Sequence, residues 1–250
     1  MNVSPTFLQN VLALISAGLG ALLAAGIGVS HKQLCALISF AAGTLFGAAF
    51  FHIVPESSAA LSWPSILIAL ASGYLLFYLV SRYIFHVCPA CSASHFEEQT
   101  RESFKNIAIL LTIGLSIHST MDGIAIAIGK NMGSHPDHSV FLTIVIHKFP
   151  EGLALCALLL KAGYQKIRAL LLTVMLETST ILGWFLGAYL LANYPSRQYI
   201  DLAMLHIGGG FVYLAIHAVL NEAKKHSPKV VIGFSAAGVI LMALTGWLGS

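Results

Sequence analysis

The sequence predicts an all-α polytopic membrane protein with eight transmembrane helices, and three observations carry that prediction. Of 250 residues, 57% are hydrophobic and 9% charged, against about 45–50% and about 25% in soluble domains. Thirteen basic and ten acidic side chains are too few to cover the surface of a 26.6 kDa globule with mean hydropathy +0.83. The apolar residues also arrive in blocks, most of them near the roughly 20 residues a helix needs to cross about 30 Å of hydrocarbon. A soluble globular enzyme is excluded. The net charge of +3 sits in short connections without interleaved aromatics, which points away from nucleic acid. Four Cys are too few and too scattered for a disulfide scaffold. Eleven His, more than the ten carboxylates, is the unusual count.

The first span, about Thr6 to Val29, has no Lys or Arg before it, so it lacks the charged start of a cleavable signal and reads as a retained helix. The second runs from about Gln33 to Pro55, and the third, after a short Ser-rich link, from about Pro64 to Val87. The longest loop, from Cys88 to about Ser103, holds Glu97, Glu98, Arg101 and Glu102. Span four covers about Phe104 to Gly129, span five Val140 to Leu160, span six Ile167 to Ala192, span seven Ile200 to Leu220 and span eight Val230 to Trp247. One membrane domain, residues 1–250, is expected.

Positive charge orients the spans. The odd-numbered connectors and their flanks hold Lys32, Arg82, Arg101, Lys105, Lys161, Lys166, Arg168, Lys224, Lys225 and Lys229, against Lys130 and Arg197 on the other side. Both termini are expected outside, with loop 88–103 cytoplasmic. Spans two and seven also resemble each other. Each begins with small residues and ends in a His and then a Glu: His52 and Glu56 in one, His217 and Glu222 in the other. Glu56 then lies near the outer face and Glu222 near the inner face. Inverted-topology repeats give that relation, and so does chance likeness of two Gly-rich helices.

Ionisable groups in hydrocarbon mark sites or pathways by default. Span four contains His118-Ser-Thr-Met-Asp122-Gly123 and span five His147-Lys-Phe-Pro-Glu151-Gly152. In each, a His and a carboxylate four apart share one helix face. Two such faces opposed make an N2O2 set from His118, Asp122, His147 and Glu151, suited to zinc and other first-row divalent ions. The alternative is a pair of His-to-carboxylate hydrogen bonds that only fasten helices together. Pro150 frees the Ile146 carbonyl one turn earlier, and a free carbonyl at membrane depth persists where it lines a cavity. Gly114, Gly123, Ala125, Gly129 and Gly152 allow close helix approach.

These two motifs resemble the paired fourth- and fifth-helix signatures of the ZIP (ZRT/IRT-like) family of divalent metal transporters. The likeness extends through the eight spans, the segment from Phe40-Ala-Ala-Gly43 to Pro55-Glu56, and the long third loop. The resemblance implies import of Zn²⁺ or a related ion toward the cytoplasm. It implies a site between helices four and five, a 3+2+3 inverted-repeat arrangement, and elevator-like movement of helices one, four, five and six. It assigns the primary metal to His118, Asp122, His147 and Glu151. Some relatives hold a second metal beside the first. Ser119 and Glu177 fall at two of those ligand positions here, but Lys148 occupies a third. A protonated ammonium cannot ligate and repels a second cation, so a single metal is expected, with Lys148 paired to Asp122, Glu151 or Glu177.

Other residues are candidates for accessory roles. His86, Cys88, Cys91 and His95 have zinc-like spacing in the loop, though one CxxC also suits a redox pair or an unliganded loop. His135, Asp137 and His138 are placed to gather cations outside, or to form a solvated loop. His52 and Glu56 are candidates for the outer mouth, and His206 and His217 for the pathway. A cation-diffusion exporter also uses His and Asp four apart, but in six spans with a cytoplasmic C-terminal domain, whereas this sequence stops shortly after its eighth span. An intramembrane zinc hydrolase is the other rival; neither HExxH nor GxSxG occurs. Zn²⁺ is the leading cargo, Fe²⁺, Mn²⁺, Co²⁺ and Cd²⁺ fit the same ligands, and no separate cofactor is expected. Lipids and divalent ions are the expected partners, a homodimer is open, and the cell (inner) membrane is the expected location. Neutral His is needed to bind metal, so uptake is expected to weaken as outside pH falls through about 6.5.

Overall fold

The computed structural model describes residues 5–26, 30–84, 101–129, 136–194 and 196–249, and among these there is no strand. Helix α1 (Pro5–Gly26) is the first span. The second joins α2 (His31–Ala48), a wide π-helical turn (Ala49–Ile53) and α3 (Val54–Ser58). Helix α4 (Trp63–Leu79), continued by a π-helical turn (Val80–Ile84), is the third. Helices α5 (Arg101–Gly129) and α6 (Pro136–Lys161) are the fourth and fifth. The sixth is divided into α7 (Lys166–Glu177) and α8 (Ser179–Asn193). Helices α9 (Arg197–Lys225) and α10 (Pro228–Gly249) complete the chain.

Local chemistry explains the boundaries. Ser30 caps α2 through a reciprocal box: its hydroxyl accepts the Gln33 amide at 3.3 Å, and the Gln33 side chain accepts the Ser30 amide at 3.0 Å. Pro55 donates no hydrogen bond to the preceding turn, and the wide turn just before it absorbs that loss. Helix α6 ends at Lys161, and the turn after it is closed by Gly163, whose φ of 88° favours glycine; there the Tyr164 amide reaches back to the Leu159 carbonyl at 3.1 Å. Span six breaks at Thr178, whose amide is shared between the Val174 and Met175 carbonyls at 3.1 and 3.3 Å. Several expected boundaries shift; span seven, read as about Ile200 to Leu220, runs from Arg197 to Lys225. Residues 101–103, read as loop, belong to α5, and Pro136 to His138, read as an outer loop, form the first turn of α6 with Pro at its first position.

Seven of the spans, all but the one formed by α5, are long and apolar enough to cross a membrane among the described residues. Helix α5, with 29 residues, is ample in length. Within an apolar 18-residue stretch of each, 67%, 72% and 61% of spans two, five and seven is buried, whereas the share in spans one, three, six and eight ranges from 17% to 39%. The first set is therefore interior, and the second shows rows of Leu, Ile and aromatic side chains outward, as lipid contact requires. This is an integral membrane protein.

The helices form two groups. Helices α1, α5, α6, α7 and α8 pack on one another, α2, α4, α9 and α10 do the same, and the groups meet chiefly where α2 crosses α6. Inside each group, helix pairs are fastened by facing glycines: Gly20 with Gly152, Gly123 with Gly183, Gly43 with Gly238, and Gly73 with Gly209. A Cβ at Gly152 would overlap the Ala17 carbonyl, and one at Gly43 the Ser235 carbonyl. Where lipid removes the hydrophobic drive between helices, such close backbone approach supplies the packing. The four pairs join spans one and five, four and six, two and eight, and three and seven. Exchanging one with six, two with seven, three with eight and four with five maps this set of pairs onto itself.

Candidate metal centre

Helices α5 and α6 bring His118, Asp122, His147 and Glu151 together, with one ligand atom from each inside a set no more than 4.8 Å across. Ligand atoms around a tetrahedral zinc lie about 3.3–3.8 Å apart, given bonds of about 2.0–2.3 Å, so small side-chain movements close the set around an ion. Asp122 is fully buried and the other three are 4% exposed. The His147 ring is oriented by its Nδ1, which donates to the Thr143 carbonyl at 2.9 Å and leaves Nε2 facing Asp122 Oδ2 at 3.2 Å. His118 Nε2 lies 3.6 Å from Asp122 Oδ2 and 3.9 Å from Glu151 Oε2. His118 Nδ1, Asp122 Oδ1 and Glu151 Oε1 are buried without a hydrogen-bond partner. Such orphaned groups are costly in a protein interior, and all three belong to members of the four-residue set that could hold a metal ion.

Lys148, fully buried, stands beside the set. Its ammonium lies 3.0 Å from Asp122 Oδ2, 2.9 Å from Glu151 Oε2 and 2.9 Å from Glu177 Oε2, and donates to Ser119 Oγ at 2.6 Å. Ser119 donates in turn to Glu177 at 3.2 Å. The break in span six directly after Glu177 positions this carboxylate, which is fully buried. Formal charges of three carboxylates and one ammonium leave −2, the complement of one divalent ion.

The family pattern of the ZIP zinc transporters matches residues 90–246. The chain belongs to the ZIP zinc transporter family. It is 27% identical over 252 residues to zinc transporter ZupT of Shigella dysenteriae serotype 1 (strain Sd197), covering 96% of this chain and 95% of that protein. It is 26% identical over 247 residues to zinc transporter ZupT of Escherichia coli O1:K1 / APEC, again covering 96% and 95%. With zinc transporter YKE4 of Saccharomyces cerevisiae it shares 24% identity over 242 residues, covering 83% of this chain and 69% of that one. The ZIP chain is thus a divalent metal transporter and not an enzyme.

The remaining candidates go elsewhere. His52 Nε2 lies 2.9 Å from the Met242 carbonyl and 3.2 Å from Thr245 Oγ1, joining α10. Glu56 accepts from Arg197 at 2.8 Å, and Arg197 also forks onto Asp201 at 2.9 Å. His206 meets Ser72 at 2.8 Å. His217 donates from Nδ1 to the Tyr213 carbonyl at 3.0 Å and stacks on the Tyr213 ring at 4.0 Å. None of these touches the centre. His86, Cys88, Cys91, His95 and His135 lie outside the described residues, as do the side chains of Asp137 and His138.

Beside the centre is a cavity of about 60 Å³ lined by His118, His147, Pro150 and Glu151 on one side and by Ile38, Ala41, Ala42, Leu45, Leu214 and Ala218 on the other. Of the latter six, Ile38 lies in the half of α2 nearest Lys32, and Leu214 and Ala218 lie in the half of α9 nearest Lys224. Sequence reasoning missed this apolar wall, because its small and aliphatic residues look like ordinary packing. It also missed a second group of candidate ligands, Cys35, Glu222 and His226. Glu222 and His226 repeat the four-residue spacing of the central pairs with the order reversed, a signal that was present in the sequence.

Proposed function

We propose that this protein imports Zn²⁺ across the cell (inner) membrane by alternating access, carrying one ion at a time on His118, Asp122, His147 and Glu151. The observation that carries this reading is the convergence of those four buried ligands beside Lys148. A divalent ion cancels the −2 left by the carboxylates and Lys148, which lowers the cost of holding the cluster in hydrocarbon. Two imidazoles and two carboxylates without thiolate suit capture and release better than the closed Cys-rich sets of structural zinc. Lys148 fills the place of a second metal with a tethered cation.

Positive charge at the end bearing Lys32, Lys161, Lys166, Lys224 and Lys229 supports a cytoplasmic position for that end and an outside position for both termini. The cavity beside the centre, whose lining includes Ile38 and Ala218, supports an inward exit for the ion between α2 and α9. All ligands belong to spans four and five, inside the group of spans one, four, five and six, while the other group offers an apolar wall. That division supports elevator-like movement of the first group against the second. The self-mapping glycine pairs support the 3+2+3 inverted-repeat arrangement.

The test is radiometal or fluorescent uptake into proteoliposomes, comparing wild type with His118→Ala and Glu151→Ala for Zn²⁺, Fe²⁺, Mn²⁺, Co²⁺ and Cd²⁺. Uptake led by Zn²⁺ and lost in both variants is expected; undiminished flux in both would overturn the assignment.

A further inference from the structure

We propose that Cys35, Glu222 and His226 form a second divalent-metal site at the cytoplasmic end of the cavity, which receives zinc-class ions leaving the central site. Each residue offers one ligand atom, and the three atoms lie within 4.8 Å of one another. Cys35 is 2% exposed and Glu222 1% exposed, while His226 is partly exposed at the end of α9. His226 Nε2 lies 3.6 Å from Glu222 Oε2.

The position follows the cavity wall. On α2, Cys35 precedes the lining residue Ile38 by three positions; on α9, Glu222 follows the lining residue Ala218 by four. Both steps stay on one helix face, so the cluster continues the wall toward the cytoplasm. The opposite ends of the same two spans offer a contrast. There Glu56 is neutralised by the Arg197 guanidinium, which Asp201 also holds. Glu222 instead faces a thiol and an imidazole, groups that bind a soft or borderline metal once deprotonated.

A thiolate, an imidazole and a carboxylate leave one position of a tetrahedral zinc open, as in sites that exchange a ligand. Metal binding releases the Cys35 thiol proton to solvent through the partly exposed His226 side. The role in release rests on the import reading, but the binding chemistry does not. The central set has no sulfur, so a sulfur-specific signal separates the two sites.

The probe is Co²⁺ added to the purified full-length protein with Cys88 and Cys91 replaced by Ser, leaving Cys35 and Cys156 as the thiols. A thiolate-to-cobalt charge-transfer band in the near ultraviolet is expected. It persists in His118→Ala and disappears in Cys35→Ser, and His226→Gln weakens Co²⁺ binding by at least about tenfold. Absence of the band, or its survival in Cys35→Ser, overturns the site. Should Cys35→Ser fail to fold, His226→Gln at the partly exposed helix end carries the test, and unchanged Co²⁺ affinity there overturns it equally. In proteoliposomes, His226→Gln slows Zn²⁺ uptake several-fold at saturating outside metal; an unchanged rate overturns the receiving role. Loss of uptake in His118→Ala with the band intact would leave both readings standing, whereas undiminished flux in that variant would count against the central site alone.

Discussion

The two helix groups differ in what they present to each other. Spans one, four, five and six hold Asp122, Glu151, Glu177, Lys148 and both central His residues, all buried. Spans two, three, seven and eight answer with Ile38, Ala41, Ala42, Leu45, Leu214 and Ala218. All four facing-glycine pairs lie within a group and none bridges the two. The charges and candidate ligands of the central set are thus tied to one body, and the wall that faces them is apolar. In hydrocarbon this arrangement keeps every ionic partner together if one body slides, because no buried ion pair of the centre has to break across the interface.

The sharpest way to break that contrast is to remove a ligand and, separately, a wall residue. His147→Ala should lower Zn²⁺ uptake by at least about 100-fold, since even groups that only support a ligand cost about 10–100-fold when lost. Leu214→Ala should cost no more than a few-fold in the same proteoliposome assay. Comparable losses would mean that the wall takes part in binding.

Next come the glycine contacts. Gly43→Leu and Gly152→Leu, one in each group, should each destabilise the protein by about 1–3 kcal/mol through overpacking against backbone. Gly233→Leu, with no heavy atom within 4 Å of its added Cβ, should stay within about 0.5 kcal/mol. Thermal unfolding in detergent measures all three, and equal shifts would remove the distinction between locked and open positions.

A smaller effect tests the charge account. Lys148→Asn should raise the bound metal count above that of wild type in equilibrium binding, because −3 from Asp122, Glu151 and Glu177 then has no internal cation. An unchanged count would show that Lys148 does not stand in for a metal. The mildest change is acidity: lowering outside pH through about 6.5 should reduce uptake gradually, as protons compete for the imidazoles. A steep rise instead would indicate proton-coupled entry.

Much of the fold was legible in the sequence, because length and hydropathy along the chain are local properties that the membrane's thickness selects. The centre was partly legible for a similar reason: His118 with Asp122 and His147 with Glu151 each share a helix face by spacing alone. Spacing could not say which faces meet. His52 and Glu56 have the same separation, yet the structure sends His52 to the Met242 carbonyl and Glu56 to Arg197. Glu222 and His226 have it in reverse and meet Cys35 from another helix. Lys148 was one residue among several carboxylates in sequence, and only the break after Glu177 and the crossing of α5, α6 and α7 place its ammonium between three of them.

By itself, the sequence determined that this chain lives in a membrane, where its helices run, and which residues are candidates to hold a metal, since each follows from residue type and short-range periodicity. The tertiary structure decided which helices touch, which of the four His-carboxylate pairs converge, and where an apolar wall faces a charged centre. Those outcomes depend on close approach at glycines far apart in the chain, and no local pattern encodes the partner of such a contact.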